Sequence, residues 1–151
     1  MKQLLTYPEF KEIADFIDKN APDKFQKYLK QTEQTYLKDL IGSDLVAKLK
    51  EGDYPDLLPF VKNCLSYKIE IKFVEVAPVT VTGEGGLSRT SDYAKQQEFV
   101  DKQNLLKSLY ETLRSYELSL ISEIKEQEIE EWNENNKISS SYFFKITSIG
   151  D

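Results

Sequence analysis

Apolar residues recur three and four positions apart along most of this chain, the spacing of a helix face that packs against a core. At the start, Thr6 precedes Glu9 by three residues, which is the spacing of a helix-initiating capping box. Helical spacing of apolar residues continues from Phe10 to Ile17. The pattern predicts a first helix over residues 6–19.

A second helix is predicted to begin at Pro22 and to end at Gly42, because one apolar stripe fills this segment and glycine often follows a last helical turn. A short third helix is predicted between Ser43 and Gly52. The residues of the second helix's stripe are Phe25, Tyr28, Leu29, Thr32, Tyr36, Leu37 and Leu40.

Residues 60–77 fit two patterns. Tyr67, Ile69 and Ile71 alternate with charged residues, as they would in a half-buried strand. A helical stripe fits the same segment, and a strand of this length without a turn signal would be unusually long, so length favours a helix. The stripe residues are Phe60, Val61, Cys64, Leu65, Lys68, Ile69 and Phe73.

The middle of the chain has a different pattern. Residues 79–82 alternate Val and Thr, and the glycine-rich residues 83–86 suit a tight turn, so we expect a β-hairpin over 79–90. The longest helix is predicted to begin at Ser91 and Asp92, since neither Gly nor Pro interrupts residues 92–137. Such a helix is too long for a compact bundle of this size.

The last residues, 138–151, follow a polar linker and are rich in aromatic side chains. Two placements fit them equally: an arm that adds to a sheet or groove of another molecule, and a terminus that packs onto its own core. The predicted fold is therefore mainly α: a single helical bundle domain over 1–137, with one long C-terminal helix and a projecting hairpin, and an extended arm over 138–151.

Composition narrows the chemistry. The chain has no histidine, which excludes Ser-His and Cys-His pairs and the commonest metal ligand. Its one cysteine, Cys64, lies in an apolar context and is predicted to be a buried core residue. A pair of carboxylates could make this chain an enzyme that hydrolyses glycosides, but the sequence singles out no such pair and no cleft. We expect no enzyme activity, no metal and no cofactor.

The formal net charge of -6 opposes tight binding of nucleic acid or of an anionic membrane surface. The N-terminus has no secretory signal pattern, and no apolar run is long enough to span a bilayer. Acidic residues are concentrated late in the long helix, where the ordinary interpretation is a solvated face.

The order of these elements resembles that of head-to-tail connector proteins, also called head completion or adaptor proteins, from phages and prophages of Bacteroidetes. The resemblance covers roughly residues 5–126 and lies in the order of the elements and in their general residue pattern. The segments that carry it are Tyr36–Gly42, Leu57–Leu65 and Gly86–Tyr93, the last followed by the amphipathic helix. Residues 127–151 are longer and more aromatic than that family would lead us to expect.

The resemblance implies a structural subunit of the virion neck, assembled in the host cytoplasm, that forms a ring, commonly dodecameric, beneath the portal. Its partners would be other copies of itself, the portal protein and other neck or tail proteins, while DNA would pass through without being specifically bound. The hairpin and arm supply the candidate interface residues Val79, Val81, Glu84, Leu87, Arg89, Tyr142, Phe143, Phe144 and Ile146.

The glutamates between Glu117 and Glu134 suggest a negatively charged channel face, for which the candidates are Glu123, Glu126, Glu130 and Glu134. A rival hypothesis from another class is a cytosolic helical module of a bacterial cell, which binds a partner protein through Tyr142–Ile149.

Overall fold

The computed structural model describes residues 3–15, 22–76, 92–130 and 132, and for residues 92–98 the backbone alone. These residues are mainly helical, as the sequence predicts, and no strand occurs among them. The predicted hairpin over 79–90 and the predicted arm over 138–151 lie outside the described residues. The domain bounds at 137 and 138 stay predictions.

The first helix, α1 (Tyr7–Ile13), begins with the predicted capping box. The Thr6 side-chain oxygen accepts a hydrogen bond from the Glu9 amide (3.4 Å), and the Glu9 carboxylate accepts one from the Thr6 amide (2.9 Å). The prediction that α1 reaches residue 19 is wrong, because Ala14 caps the helix and Asp15 takes a left-handed conformation with φ of 51°.

The second predicted helix is a series of helical pieces. It comprises α2 (Pro22–Thr32), a π-helical turn (Glu33–Leu37) and α3 (Lys38–Ile41), and it ends at Gly42, whose φ is 91°. The fourth helix, α4 (Ser43–Glu51), ends at Gly52 in the left-handed conformation that favours glycine. Both glycine stops were predicted correctly.

The π-helical turn corrects the phase of the apolar stripe. Buried residues of this segment repeat every four positions, from Phe25 through Leu29, Glu33 and Leu37 to Ile41. On a regular α-helix a four-residue repeat rotates by about 40° each time, or about 160° over sixteen residues. One extra residue in a π turn takes back about 100° of this rotation, so both halves of the stripe reach the same core.

A 3-10 turn (Pro55–Leu57) leads into α5 (Leu58–Val76), which settles the choice between strand and helix in favour of the helix. Helix α5 is central, because α1, α2 and the last helix, α6 (Asp92–Glu126), all pack against it. One side of α5 contributes Phe73 to an aromatic cluster with Phe10 and Tyr28, at ring distances of 6.0 and 4.9 Å.

Helix α6 has 35 residues, a length of about 52 Å, and runs antiparallel to α5. The Tyr110 hydroxyl meets the Glu75 carboxylate near the end of α5, and Tyr116 packs on Tyr67 further back. Lys102 of α6 bonds to the Glu75 carbonyl near the end of α5, and the backbone of residues 92–101 continues about 15 Å beyond that contact.

Helix α6 ends at Glu126, earlier than the uninterrupted sequence to residue 137 suggests. Glu128 has φ of 51°, its amide donates to the Lys125 carbonyl, and the Ile129 amide donates to the Ile124 carbonyl at 3.5 Å. These are the hydrogen bonds of a Schellman motif, which brings Ile129 against the core beside Ile124. The chain turns here because the burial of Ile129 offsets the conformational free energy that Glu128 costs in the left-handed region.

Candidate functional site

A groove runs between two helical segments of the chain. The residues on one wall belong to α2 and the π-helical turn, and those on the other wall belong to α5. Its volume is about 390 Å³, within the range of small-ligand and side-chain binding sites. We call it the α2–α5 groove. Its lining residues are Tyr28, Gln31, Thr32, Thr35, Tyr36, Lys68, Ile71, Lys72 and Glu75.

The floor of this groove carries a positive charge. Lys68 is half-buried, and its ammonium group lies 5.4 Å from the Tyr36 ring centre and 5.8 Å from that of Tyr110. Burial lowers the pKa of Lys68, while the charges of Glu75 and Glu117 act in the opposite direction. Aromatic faces stabilise a partly desolvated cation, so this lysine is held at the floor by its surroundings.

Behind the floor, α6 places an acid in the core. Glu117 is fully buried, and neither carboxyl oxygen has a hydrogen-bond partner of good geometry. Burial raises the pKa of Glu117 to about 8, although Lys68 and the Tyr36 hydroxyl act in the opposite direction. At neutral pH this carboxyl is therefore mainly protonated and uncharged, and it offsets little of the charge of Lys68.

Cys64 is buried beside Glu117, as the sequence predicts for an isolated apolar-context cysteine. Burial and the nearby Glu117 carboxyl raise the pKa of the thiol well above its ordinary value. A thiol in this state has almost no thiolate, which is the reactive form, so Cys64 is a packing residue.

At the Glu75 end of the groove, α6 contacts α5. The Tyr110 hydroxyl donates to the Glu75 carboxylate at 2.7 Å, and the Lys102 ammonium donates to the Glu75 backbone carbonyl at 3.3 Å. The Glu75 carboxylate keeps its negative charge in this hydrogen bond, and the Thr35 hydroxyl on the α2 wall donates to the Gln31 carbonyl at 2.7 Å. The lining therefore holds two lysines, Lys68 and Lys72, and one acid, a balance that favours an anionic group.

A second, shallower groove lies between α1 and the start of α5. The Lys62 ammonium there binds the Glu9 carboxylate at 2.7 Å, and this contact together with the Thr6 amide lowers the pKa of Glu9. Because its lysine is paired with Glu9, this groove has less charge to offer a ligand. Within the described ranges no group of three or more Cys, Asp or Glu side chains could hold a metal ion.

Apolar side chains are exposed on the projecting part of α6 and on the helical turn that follows it. Phe99 is 52% exposed, Val100 46% and Leu105 48%, and Val76 at the end of α5 is 50% exposed. Such fractions are high for large apolar residues, and four of the five described residues that have them lie where α6 leaves α5, the fifth being Leu118. This surface, formed by Val76, Phe99, Val100 and Leu105, is called the projecting apolar surface.

The candidate interface residues predicted from sequence, at 79–89 and 142–146, lie outside the described residues. Of the predicted channel face, Glu123 is half-buried and bonded to Gln127, Glu126 is exposed on the last helical turn, and Glu130 is exposed beyond it. Glu134 lies outside the described residues. Glu117, which helped to suggest the channel, is a core residue, because it falls on the apolar stripe of α6.

No binding role was predicted from the sequence for the residues of the α2–α5 groove. Lys68 was part of the predicted helical stripe of α5, and a charged residue in an apolar stripe is a signal of a partly buried site. The four-residue repeat from Phe25 to Ile41 could have predicted the π-helical turn, which forms part of the other wall of the groove.

No helix in the described part of the chain is both long enough and apolar enough to cross a bilayer. Comparisons with protein-family models, curated proteins and solved structures found nothing that matches this chain.

Proposed function

We propose that this protein is a structural subunit of an oligomeric ring, the connector that joins the portal and capsid of a tailed phage to its tail. The observation that carries the proposal is the projecting apolar surface on a helix that extends about 15 Å past its intrachain partner. A long helix with exposed apolar side chains gains stability when copies pack side by side.

The positions of these side chains around α6 favour a ring over a two-fold dimer. At about 100° per residue, Val100 lies about 100° from Phe99, and Leu105 about 240° from it. Apolar residues therefore occupy three sides of the projecting helix. A two-fold dimer covers one patch with the same patch, whereas a ring subunit contacts one neighbour on each side through two different patches.

In this proposal the partners are other copies of the chain, the portal protein and further neck or tail proteins, and the site of action is the virion neck. The net charge of -6 supports passage of DNA through a ring without specific binding. For the proposed channel face, Glu123, Glu126 and Glu130 are the candidates within the described residues.

The experiment first identifies the portal gene in the neighbourhood of the gene for this chain and then tests whether the two proteins assemble. The chain is co-expressed with the portal protein encoded near it, and complexes are sized by mass photometry and imaged by negative-stain electron microscopy. Rings of the unmodified chain on the portal are expected. The double variant F99E/L105E is expected to lose them, while the control S108E, an exposed position on the same helix, keeps them.

Absence of rings, alone and with the portal, or a gene far from any portal, capsid or tail gene would contradict the proposal. A stable two-fold dimer would favour the rival helical interaction module instead.

A further inference from the structure

We propose that the α2–α5 groove receives the acidic end of α6 from a second copy of this chain. The acidic end consists of Glu126, Glu128 and Glu130, all exposed. This inference deepens the proposed function, since it assumes that copies associate, and it names the two surfaces that would meet.

The groove has a net positive character. Its charged lining residues are two lysines, Lys68 at the floor and the exposed Lys72 at the rim, and one acid, Glu75. Glu117, behind the floor, is mainly protonated at neutral pH, since burial raises its pKa to about 8. Charge inside a partly desolvated groove is screened less than charge on open surface, so a carboxylate entering it is attracted to Lys68 and Lys72.

Further lysines surround the mouth of the groove. Lys24 and Lys27 precede the lining residues Tyr28 and Gln31 by four positions, which places them one turn away on the same face of α2. Both are exposed, and neither takes part in an ion pair within the described part of the chain. They extend the positive potential outward from the groove.

The acidic end is negatively charged without compensation. Glu126, Glu128 and Glu130 make no ion pairs within residues 92–130, and Lys125 is the one basic residue of the last turn. The ammonium group of Lys125 lies 5.7 Å from the Trp132 ring centre. Carboxylates near a helix C-terminus are also repelled by the negative end of the helix dipole. A cationic partner surface would relieve both sources of repulsion.

The acidic end cannot enter the groove of its own chain. Because α6 runs antiparallel to α5, the end of α6 lies near Leu58, where the 3-10 turn Pro55–Leu57 also contacts α6. Lys72 lies fourteen residues further along α5, at a distance of about 21 Å. Only a second copy can bring the two surfaces together.

The resulting contact joins two different surfaces of neighbouring copies. A contact of this kind leaves one groove and one acidic end free in every open assembly, so it propagates, and the copies form a ring where the rotation between neighbours closes and a filament where it does not. In this arrangement Glu126 and Glu130 lie between subunits, a placement that replaces the channel-face role proposed for these two residues above.

Cysteine trapping tests the contact even where association is weak. Copies with K72C are mixed with copies carrying E130C, and disulfide-linked dimers are measured over time. The native Cys64 is buried with a raised thiol pKa and does not compete. We expect K72C to link to E130C at least about tenfold faster than to the control E111C, and more slowly at about 500 mM than at about 50 mM salt.

Equal linking rates for E130C and E111C would overturn the proposal. So would a disulfide within one chain of the double variant K72C/E130C, because that would place the two residues together in the monomer.

Charge exchange provides the second test and needs no cysteine. K27E/K72E and E126K/E130K are each expected to lose ring formation and self-association, measured by mass photometry, because each variant has two surfaces of the same sign. A mixture of the two restores a complementary pair at every contact and is expected to restore assembly. The controls K107E and E111K, at exposed positions elsewhere on α6, are expected to assemble as the unmodified chain does.

The results separate this inference from the proposed function. Rings that form normally from K27E/K72E would refute the groove contact and leave the ring proposal standing. Trapping between K72C and E130C without rings on the portal would support the head-to-tail contact and refute the connector function.

Discussion

Both halves of α6 have apolar residues on the side of Leu113, but they differ in what covers that side. In the second half, Leu113 and Ile124 are fully buried against α5 and the turn before it. In the first half, Phe99 lies two seven-residue steps before Leu113, nearly in phase with it, and is 52% exposed. This apolar side of α6 therefore continues past the end of its intrachain partner, which is typical of a helix completed by other molecules.

The largest expected effect is that of a leucine truncation in the buried half of α6, which has a matched counterpart in the exposed half. Leu113→Ala is expected to lower the free energy of unfolding by about 2–5 kcal/mol, because it leaves a cavity in the core. The measurement is urea unfolding of the isolated chain, followed by circular dichroism. A loss below about 1 kcal/mol, roughly that of a surface change, would contradict the buried position of Leu113.

The second prediction concerns the acid within the covered half. Burial raises the pKa of Glu117 from 4.5 to about 8, so the folded protein holds a proton that the unfolded chain has lost. Stability contributed by this proton is fully present below pH 4.5 and is lost as pH rises to about 8. Glu117→Gln is expected to be more stable than the unmodified chain by roughly 2–4 kcal/mol at about pH 9, with the difference vanishing near about pH 4.

Unfolding curves across this pH range test the sign. Glu70→Gln is the matched control, since Glu70 is half-buried and burial raises its pKa to about 7, so its benefit at high pH is expected to be smaller. If the Glu117→Gln variant were less stable than the unmodified chain at high pH, Glu117 would have to be ionised and paired.

The third prediction lies at the border between the two halves. Tyr110→Phe removes the hydrogen bond to the Glu75 carboxylate and is expected to cost about 1 kcal/mol, a typical net value for such a bond. Glu75→Gln keeps an acceptor oxygen and is expected to cost less. Thermal unfolding of both variants gives the comparison, and equal losses would indicate that the charge of Glu75 matters more than the bond.

The smallest effect is expected in the projecting half. Leu105→Ala, the counterpart of Leu113→Ala, is expected to change the free energy of unfolding of the isolated chain by less than about 0.5 kcal/mol. The same urea titration measures it. A loss comparable to that of Leu113→Ala would show that this half is already covered within the monomer and would remove the main support for the ring.

Much of the fold could be predicted from short sequence signals, because interactions between neighbouring residues determine those features. The capping box at Thr6 and the glycine stops at Gly42 and Gly52 were predicted because a few neighbouring residues determine them. Helix α5 was ambiguous because helices pack on several of its sides, so its apolar residues do not keep to one stripe.

The features that were missed depend on tertiary packing. The stop after Glu126 has no glycine or proline to announce it, because the gain comes from burying Ile129. The groove was not predicted for a similar reason: its walls belong to residues about 35 positions apart, such as Thr35 and Ile71. That Glu117 lies inside the core could have been inferred from its place on the α6 stripe, but acidity suggested a surface.

The π-helical turn also has a consequence for how this chain tolerates changes in length. Deleting one residue between Glu33 and Tyr36 would leave a regular α-helix, which is locally the better structure. It would also keep Leu37 and Ile41 in their present phase relative to Phe25, because the π turn already takes back the 100° that its extra residue adds. A deletion within α2 would instead rotate Leu37 and Ile41 by about 100°, away from the core they share with Phe25, so this turn can lose one residue at a position where the regular helix before it cannot.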